Sequence, residues 1–182
     1  MNQAQVKSPE TAASLHFQNE LHWFVFYTKP KAEFQVQNEL SSMGYEVFLP
    51  LTKKMTVWKN RQRKLTPHVL FPNYIFVRTS PCNLYSIVNI HGIKYFISCS
   101  EKPSVIPDKD IEVIRTMINL NTDIIVETDF ENGEKVRVVN GQLAGYDGII
   151  ERRNGKSRFG IQIEALNKTI LADITSFDLE KL

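Results

Sequence analysis

From Val47 to Ser100 the chain contains no aspartate and no glutamate. That stretch does hold eight cations: Lys53, Lys54, Lys59, Arg61, Arg63, Lys64, Arg78 and Lys94. The segment that follows, Glu101 to Glu134, reverses the sign, with nine acids against three bases. The net charge is only +2, so the distribution carries the information. A basic face followed by an acidic connector is expected. Such a face concentrates polyanions near it and weakens as salt rises.

Cysteine is scarce: Cys82 and Cys99 are the only two, and neither belongs to a CxxC pair. A disulfide framework is excluded and a reducing cytoplasm is the expected compartment. Met1 to His22 lacks the apolar core of a signal peptide, and no run approaches about 18 apolar residues, so no membrane span is expected. None of the four histidines, His16, His22, His68 and His91, pairs with Cys, Asp or Glu at metal-ligand spacing. GxSxG, GxxxxGK and GxGxxG are all missing. Gly141, Gly145 and Gly148 form a GxxxGxxG, but between two strands, where no helix N-terminus supplies amides for a phosphate. No metal, no cofactor and no enzymatic activity are expected.

What is present is patterned in two ways. Trp23 to Thr28 is apolar on both faces and reads as a central strand. Pro30 then opens a helix whose apolar stripe is Ala32, Val36, Leu40 and Met43, closed by Gly44. Tyr45 to Pro50 reads as a strand. Met55–Trp58 and Leu65–Leu70 read as a hairpin with a basic tip, Lys59 to Arg63. Asn73 to Arg78 is a further strand, Pro81 to Asn89 a short helix and Lys94 to Ser98 a strand. Asp108 is placed to cap a helix reaching Leu120, with Ile111, Ile114 and Ile118 on one side. This alternation predicts an α+β sandwich with a mainly antiparallel sheet. Asn121 to Asn132 is acidic, without a sustained period, and reads as a linker. Beyond Gly133 four alternating strands are expected: Lys135–Val139, Gly148–Arg152, Arg158–Glu164 and Thr169–Ile174. The turn signals between them, Asn154-Gly155 above all, predict a small C-terminal β-barrel. The expected division is a flexible tail at 1–22, a first domain at 23–120, a linker at 121–132 and the barrel at 133–182.

Three segments, in order, carry a resemblance. Trp23-Phe24-Val25 opens a strand leading into a Pro-started helix. Leu70 to Val77 reads LFPNYIFV. Gly133 to Gly148 reads GEKVRVVNGQLAGYDG and looks like a KOW motif. Together they resemble the NusG family of transcription elongation factors over nearly all of Trp23 to Leu182. The resemblance implies an N-terminal NGN domain that docks on the clamp helices of the largest subunit of RNA polymerase, and a C-terminal SH3-like KOW barrel that recruits other factors, ribosomal protein S10 or Rho. Asn73, where the general factor has Gly, and Leu166-Asn167-Lys168 resemble the specialised RfaH and UpxY-type antiterminators of capsular polysaccharide operons. A housekeeping elongation factor and a KOW-type RNA- or ribosome-binding protein are the competing readings.

The resemblance also implies residues. Tyr27, Phe71, Phe76, Ile111 and Ile114 match the polymerase-facing groove; Phe76, in mid-strand, reads equally well as core. Lys29 and His91 match positions near the non-template DNA strand, and Lys29 reads equally as a solvated strand end. Lys59, Arg61 and Arg63, around Trp58, suit phosphate contact. Phe159, Ile161 and Leu166 are candidates for the KOW partner surface, with Phe159 and Ile161 also candidates for its core. The expected assembly is a monomer. The alternation beyond Gly133 favours strands over the helical hairpin that RfaH adopts there.

Overall fold

In the computed structural model the structure describes residues 19–57, 63–120, 124–128, 133–153, 156–173 and 179–182. In chain order the elements are β1 (His22–Thr28), α1 (Glu33–Ser42), β2 (Glu46–Phe48), β3 (Leu51–Val57), β4 (Arg63–Val69), β5 (Tyr74–Thr79), α2 (Leu84–Val88), β6 (Ile93–Phe96), β7 (Ser98–Cys99), β8 (Lys102–Pro103), β9 (Val105–Ile106) and α3 (Asp108–Asn119). Then follow β10 (Ile124–Thr128), β11 (Glu134–Val138), β12 (Asp147–Arg153), β13 (Lys156–Ile163), β14 (Lys168–Asp173) and β15 (Leu179–Lys181). Over these residues the chain forms two compact units, Met1–Phe48 with Asn73–Ile106, and Leu49–Pro72 with Pro107–Leu182. The class is α+β with antiparallel sheets.

The first unit is built on the sheet β2-β5-β1-β6, with β9 also pairing β1. As its doubly apolar sequence demands, β1 lies inside: Phe24, Val25 and Phe26 are fully buried. Helix α1 buries Val36 and Leu40 and ends where Gly44 takes φ +87°, the left-handed closure that lacks a Cβ penalty. Its Val36 sits against Gly92, where a Cβ would come within 2.9 Å of the valine methyl, and Gly92 has φ +100°.

In the second unit β3 and β4 pair along their whole length, Leu51↔Val69 to Val57↔Arg63. Strand β3 begins at Leu51, not Met55, because the ladder continues past the Leu70 amide, which donates to the Pro50 carbonyl at 2.8 Å. Helix α3 buries Ile111, Val113, Ile114 and Met117. Its N-cap is Pro107, without a side-chain cap bond, so Asp108 lies in the first turn and does not cap. Here an acid only complements the helix dipole.

Beyond α3 the described strands form a six-stranded antiparallel sheet ordered β10-β14-β13-β12-β11-β15. Its core holds Val136, Phe159, Ile163, Ile170, Leu171 and Ala172. Gly148 lies under the Phe159 ring: a Cβ there would fall on the Gly160 carbonyl and 2.6 Å from Phe159 Cζ. Arg137 and Asp147 face each other across β11 and β12, with Nε–Oδ1 at 2.6 Å and Nη2–Oδ2 at 2.9 Å. In this sheet two strands lie outside the sequence expectation. Ile124–Thr128, inside the stretch read as a linker, pairs with β14 over five residues, and Leu179–Lys181 pairs with β11. Both are short edge strands, too brief for a period to register. The expected tail up to residue 18, the tip residues 58–62 and the Asn154-Gly155 turn lie outside the described residues.

Candidate interaction site

Three neighbouring strands bring three tyrosines together. The β1–β5 register sets Tyr27 opposite Tyr74, and the β1–β6 register sets Tyr27 opposite Tyr95. Tyr27 stacks on Tyr95 with centroids 5.0 Å apart and planes 3° apart. It meets Tyr74 edge-on at 5.3 Å. Such pairs add about 0.5–1.5 kcal/mol beyond the area they bury. Tyr27 and Tyr74 are half-buried, and Tyr95 is 49% exposed, so the row is rigid at its base and open at one side. Lys94 Nζ sits 5.8 Å from the Tyr27 centroid, within cation–π range. Burial, followed by the neighbouring Tyr95 and Tyr27, pushes the Tyr74 phenol above its ordinary value.

The turn into β5 supports this row. Asn73 has φ +68°, which few side chains other than Asn and Asp tolerate. Its amide donates to Glu33 Oε1 at 2.9 Å, its carbonyl accepts from the Thr28 amide at 2.8 Å, and its side chain donates to the Tyr27 hydroxyl at 3.4 Å. Glu33 is buried. Beside this turn the Lys29 amide donates to the Gly92 carbonyl at 2.7 Å. That bond brings Lys29 and the His91-Gly92 loop to one end of the sheet, and both Lys29 and His91 are exposed.

The other groove candidates are placed differently. Phe71, Phe76 and Ile114 have 0% exposure and Ile111 has 2%. These side chains are buried in the structure. The resemblance that implies these residues names positions, and their apolar character fits a groove lining and a core equally. Tyr27 is the one expected groove residue that is partly open. Tyr74, Tyr95 and Lys94 were missed, because their juxtaposition depends on strand order. For the basic hairpin, Lys59 and Arg61 lie outside the described residues and Arg63 opens β4.

In the C-terminal sheet Phe159 is 0%, Ile161 6% and Leu166 9% exposed. They too are core, not an open partner surface. Ile161 lines a cavity of about 430 Å³ within the second unit, together with Lys109, Asp110, Val113, Tyr146 and Glu164. Lys109 Nζ lies 5.1 Å from the Tyr146 centroid. Burial and, after it, the charge of Glu164 hold the Asp110 carboxyl above its usual range. Among the described residues no three His, Cys, Asp or Glu side chains are grouped to hold a metal, and no helix is long and apolar enough to cross a membrane.

The first unit thus carries a stacked, partly open aromatic row with Lys94 against it. The chain belongs to the NusG family: its residues 21–115 match that family, described as transcription termination factor nusG. It is therefore a NusG-type transcription factor, of a family that is not enzymatic. Its similarity to curated relatives runs nearly end to end. It is 24% identical to the transcription termination/antitermination protein NusG of Buchnera aphidicola, over 92% of this chain and 99% of that one. The corresponding protein of Bacillus subtilis is also 24% identical, over 90% of this chain and 99% of its own. Among solved structures, Thermotoga maritima NusG shares the fold, with a TM-score of 0.54 at 17% identity, covering 90% of this chain and 98% of that one.

Proposed function

We propose that the chain is a cytoplasmic transcription elongation and antitermination factor that acts as a monomer on RNA polymerase. Residues 23–120 form the polymerase-binding NGN domain, and residues 133–182 the KOW domain that recruits ribosomal protein S10 or Rho. The observation that carries the reading is the row Tyr74, Tyr27 and Tyr95, stacked and partly open, on a chain of the NusG family. A helical hairpin such as the polymerase clamp helices presents ridges of side chains. Pre-ordered aromatic rings dock on such ridges with little loss of rotamer freedom. Phe76, on β5 of the same sheet, is buried and supports this surface from within its own unit.

Function then follows from differential binding. A factor that holds the closed, elongating clamp about 3 kcal/mol better than the paused state shifts their ratio by roughly 100-fold. Lys29 and His91, at one end of the same sheet, suit contact with the non-template DNA strand. Asn73, at the left-handed turn, and Leu166-Asn167-Lys168 favour an operon-specific antiterminator of the capsular polysaccharide type. The end-to-end similarity to general NusG proteins favours the alternative, a housekeeping factor. Genome-wide occupancy separates the two: signal at one long operon fits the specialist, and signal at every transcribed gene fits the generalist.

Tyr95→Ala tests the docking surface. The ring is half exposed, so its loss leaves the core intact. Affinity for RNA polymerase in a binding titration is expected to fall about tenfold or more, with the circular dichroism spectrum unaltered. Unchanged affinity rejects the docking surface.

A further inference from the structure

The outermost pair of the C-terminal sheet is unequal. Strand β14 is apolar on both faces, with Thr169, Ile170, Leu171 and Ala172 all at 0–1% exposure. That is the signature of an interior strand. Only one strand separates it from the edge, and that strand is β10, which comes from outside the KOW segment. β10 holds five residues, Ile124↔Ala172 through Thr128↔Lys168, and pairs on one side only. Among its described side chains Ile124 alone is buried, and Ile125 is 37% exposed. Acids surround it in the sequence: Asp123, Glu127, Asp129 and Glu131. Little apolar burial therefore holds β10 in place, while the strand it covers has high β-propensity and a full row of ladder groups.

We propose that the β14 edge is a docking site for an extended strand of a partner protein, and that β10 is its intramolecular competitor. The register of β10 describes the ligand: a short antiparallel strand with β-branched apolar residues in the positions of Ile124 and Val126. Because β10 is tethered, it competes at an effective concentration on the order of millimolar. Only a partner strand that exceeds this gains the edge. Its binding also lengthens the connection from α3 to the sheet, from residues 120–123 to residues 120–133. At full extension that is roughly 13 Å against roughly 45 Å. This inference stands on the β10–β14 pairing and does not depend on the polymerase reading.

The test uses the full chain, the variant Val126→Pro, and a second, milder variant with Ile125→Gly and Val126→Gly together. Two quantities are read: amide hydrogen exchange along β14, and binding of a fluorescent synthetic peptide with the sequence of residues 123–129, against a scrambled control. In an antiparallel interior strand, alternate residues bond to opposite neighbours. The β10-facing amides of β14 are expected to exchange about 100-fold faster in the variants, while the β13-facing ones stay slow. The peptide is expected to bind both variants at least about tenfold more tightly than the parent chain, and the scrambled peptide to bind none. The proposal is overturned if both variants lose protection throughout the sheet, since β10 is then integral to the fold. It is also overturned if the β14 rates do not change, or if the peptide binds parent and variants alike or neither. Concentration-dependent dimers of the parent chain that the peptide dissolves would make a second copy the occupant and overturn the partner assignment.

Discussion

Asn73 shows how one residue links turn geometry to the tyrosine row. At φ +68° it stands where a β-branched side chain is strained by about 1–2 kcal/mol. Thermal unfolding is expected to show Asn73→Val destabilised by that amount. Asn73→Gly is expected to keep the fold, because Gly adopts the same φ freely. It removes the contact to the Tyr27 hydroxyl and frees that ring, which should appear as a faster Tyr27 ring flip by NMR. The Asn in LFPNYIFV is visible in the sequence; its partners Glu33 and Tyr27 are not, since each lies some forty residues away. Phe71 is buried, and an aromatic residue beside a proline reads alike in the sequence whether it faces a groove or the core.

Among the elements, the regular ones were the legible ones. Strand β1, helix α1 and strands β11 to β14 fall close to their expected positions, because each carries a full period of apolar residues. Strand β10 did not, since three apolar residues between acids make no pattern and its pairing is decided by β14. Gly148, near the start of β12, is fixed by a neighbour in the same way. Gly148→Ala is expected to cost about 1–3 kcal/mol in chemical denaturation, because the obstructing atom is the Gly160 backbone oxygen and cannot swing away. Helix α3 carries a pH-dependent element. The Asp110 pKa is raised by burial and by Glu164, so the folded state holds this proton more tightly than the unfolded chain does. Its contribution to stability is complete below pH 3.8, the unreacted value, and is lost as pH rises through the folded pKa. At pH 7 the carboxylate opposes folding. Asp110→Asn is therefore expected to raise Tm by roughly 2 °C at pH 7, with the difference vanishing in acid.

At the scale of the whole molecule, charge is the property most directly readable. Neutralising Lys59, Arg61 and Arg63 together is expected to weaken binding to an elongation complex and to reduce the slope of log affinity against log salt by roughly 2, if all three meet single-stranded phosphate. An unchanged slope in a salt titration removes the hairpin from the nucleic-acid interface. Fold class, the order of the two kinds of sequence and the absence of a metal-ligand motif follow from composition and periodicity alone, because those depend on each residue's own solvation and backbone preference. The tyrosine row, the burial of Phe71, Phe76, Ile111 and Ile114, and the recruitment of β10 to the β14 edge were settled only by tertiary structure. Each depends on which strands become neighbours, and strand order is fixed by the packing of the complete chain, not by any local run of residues.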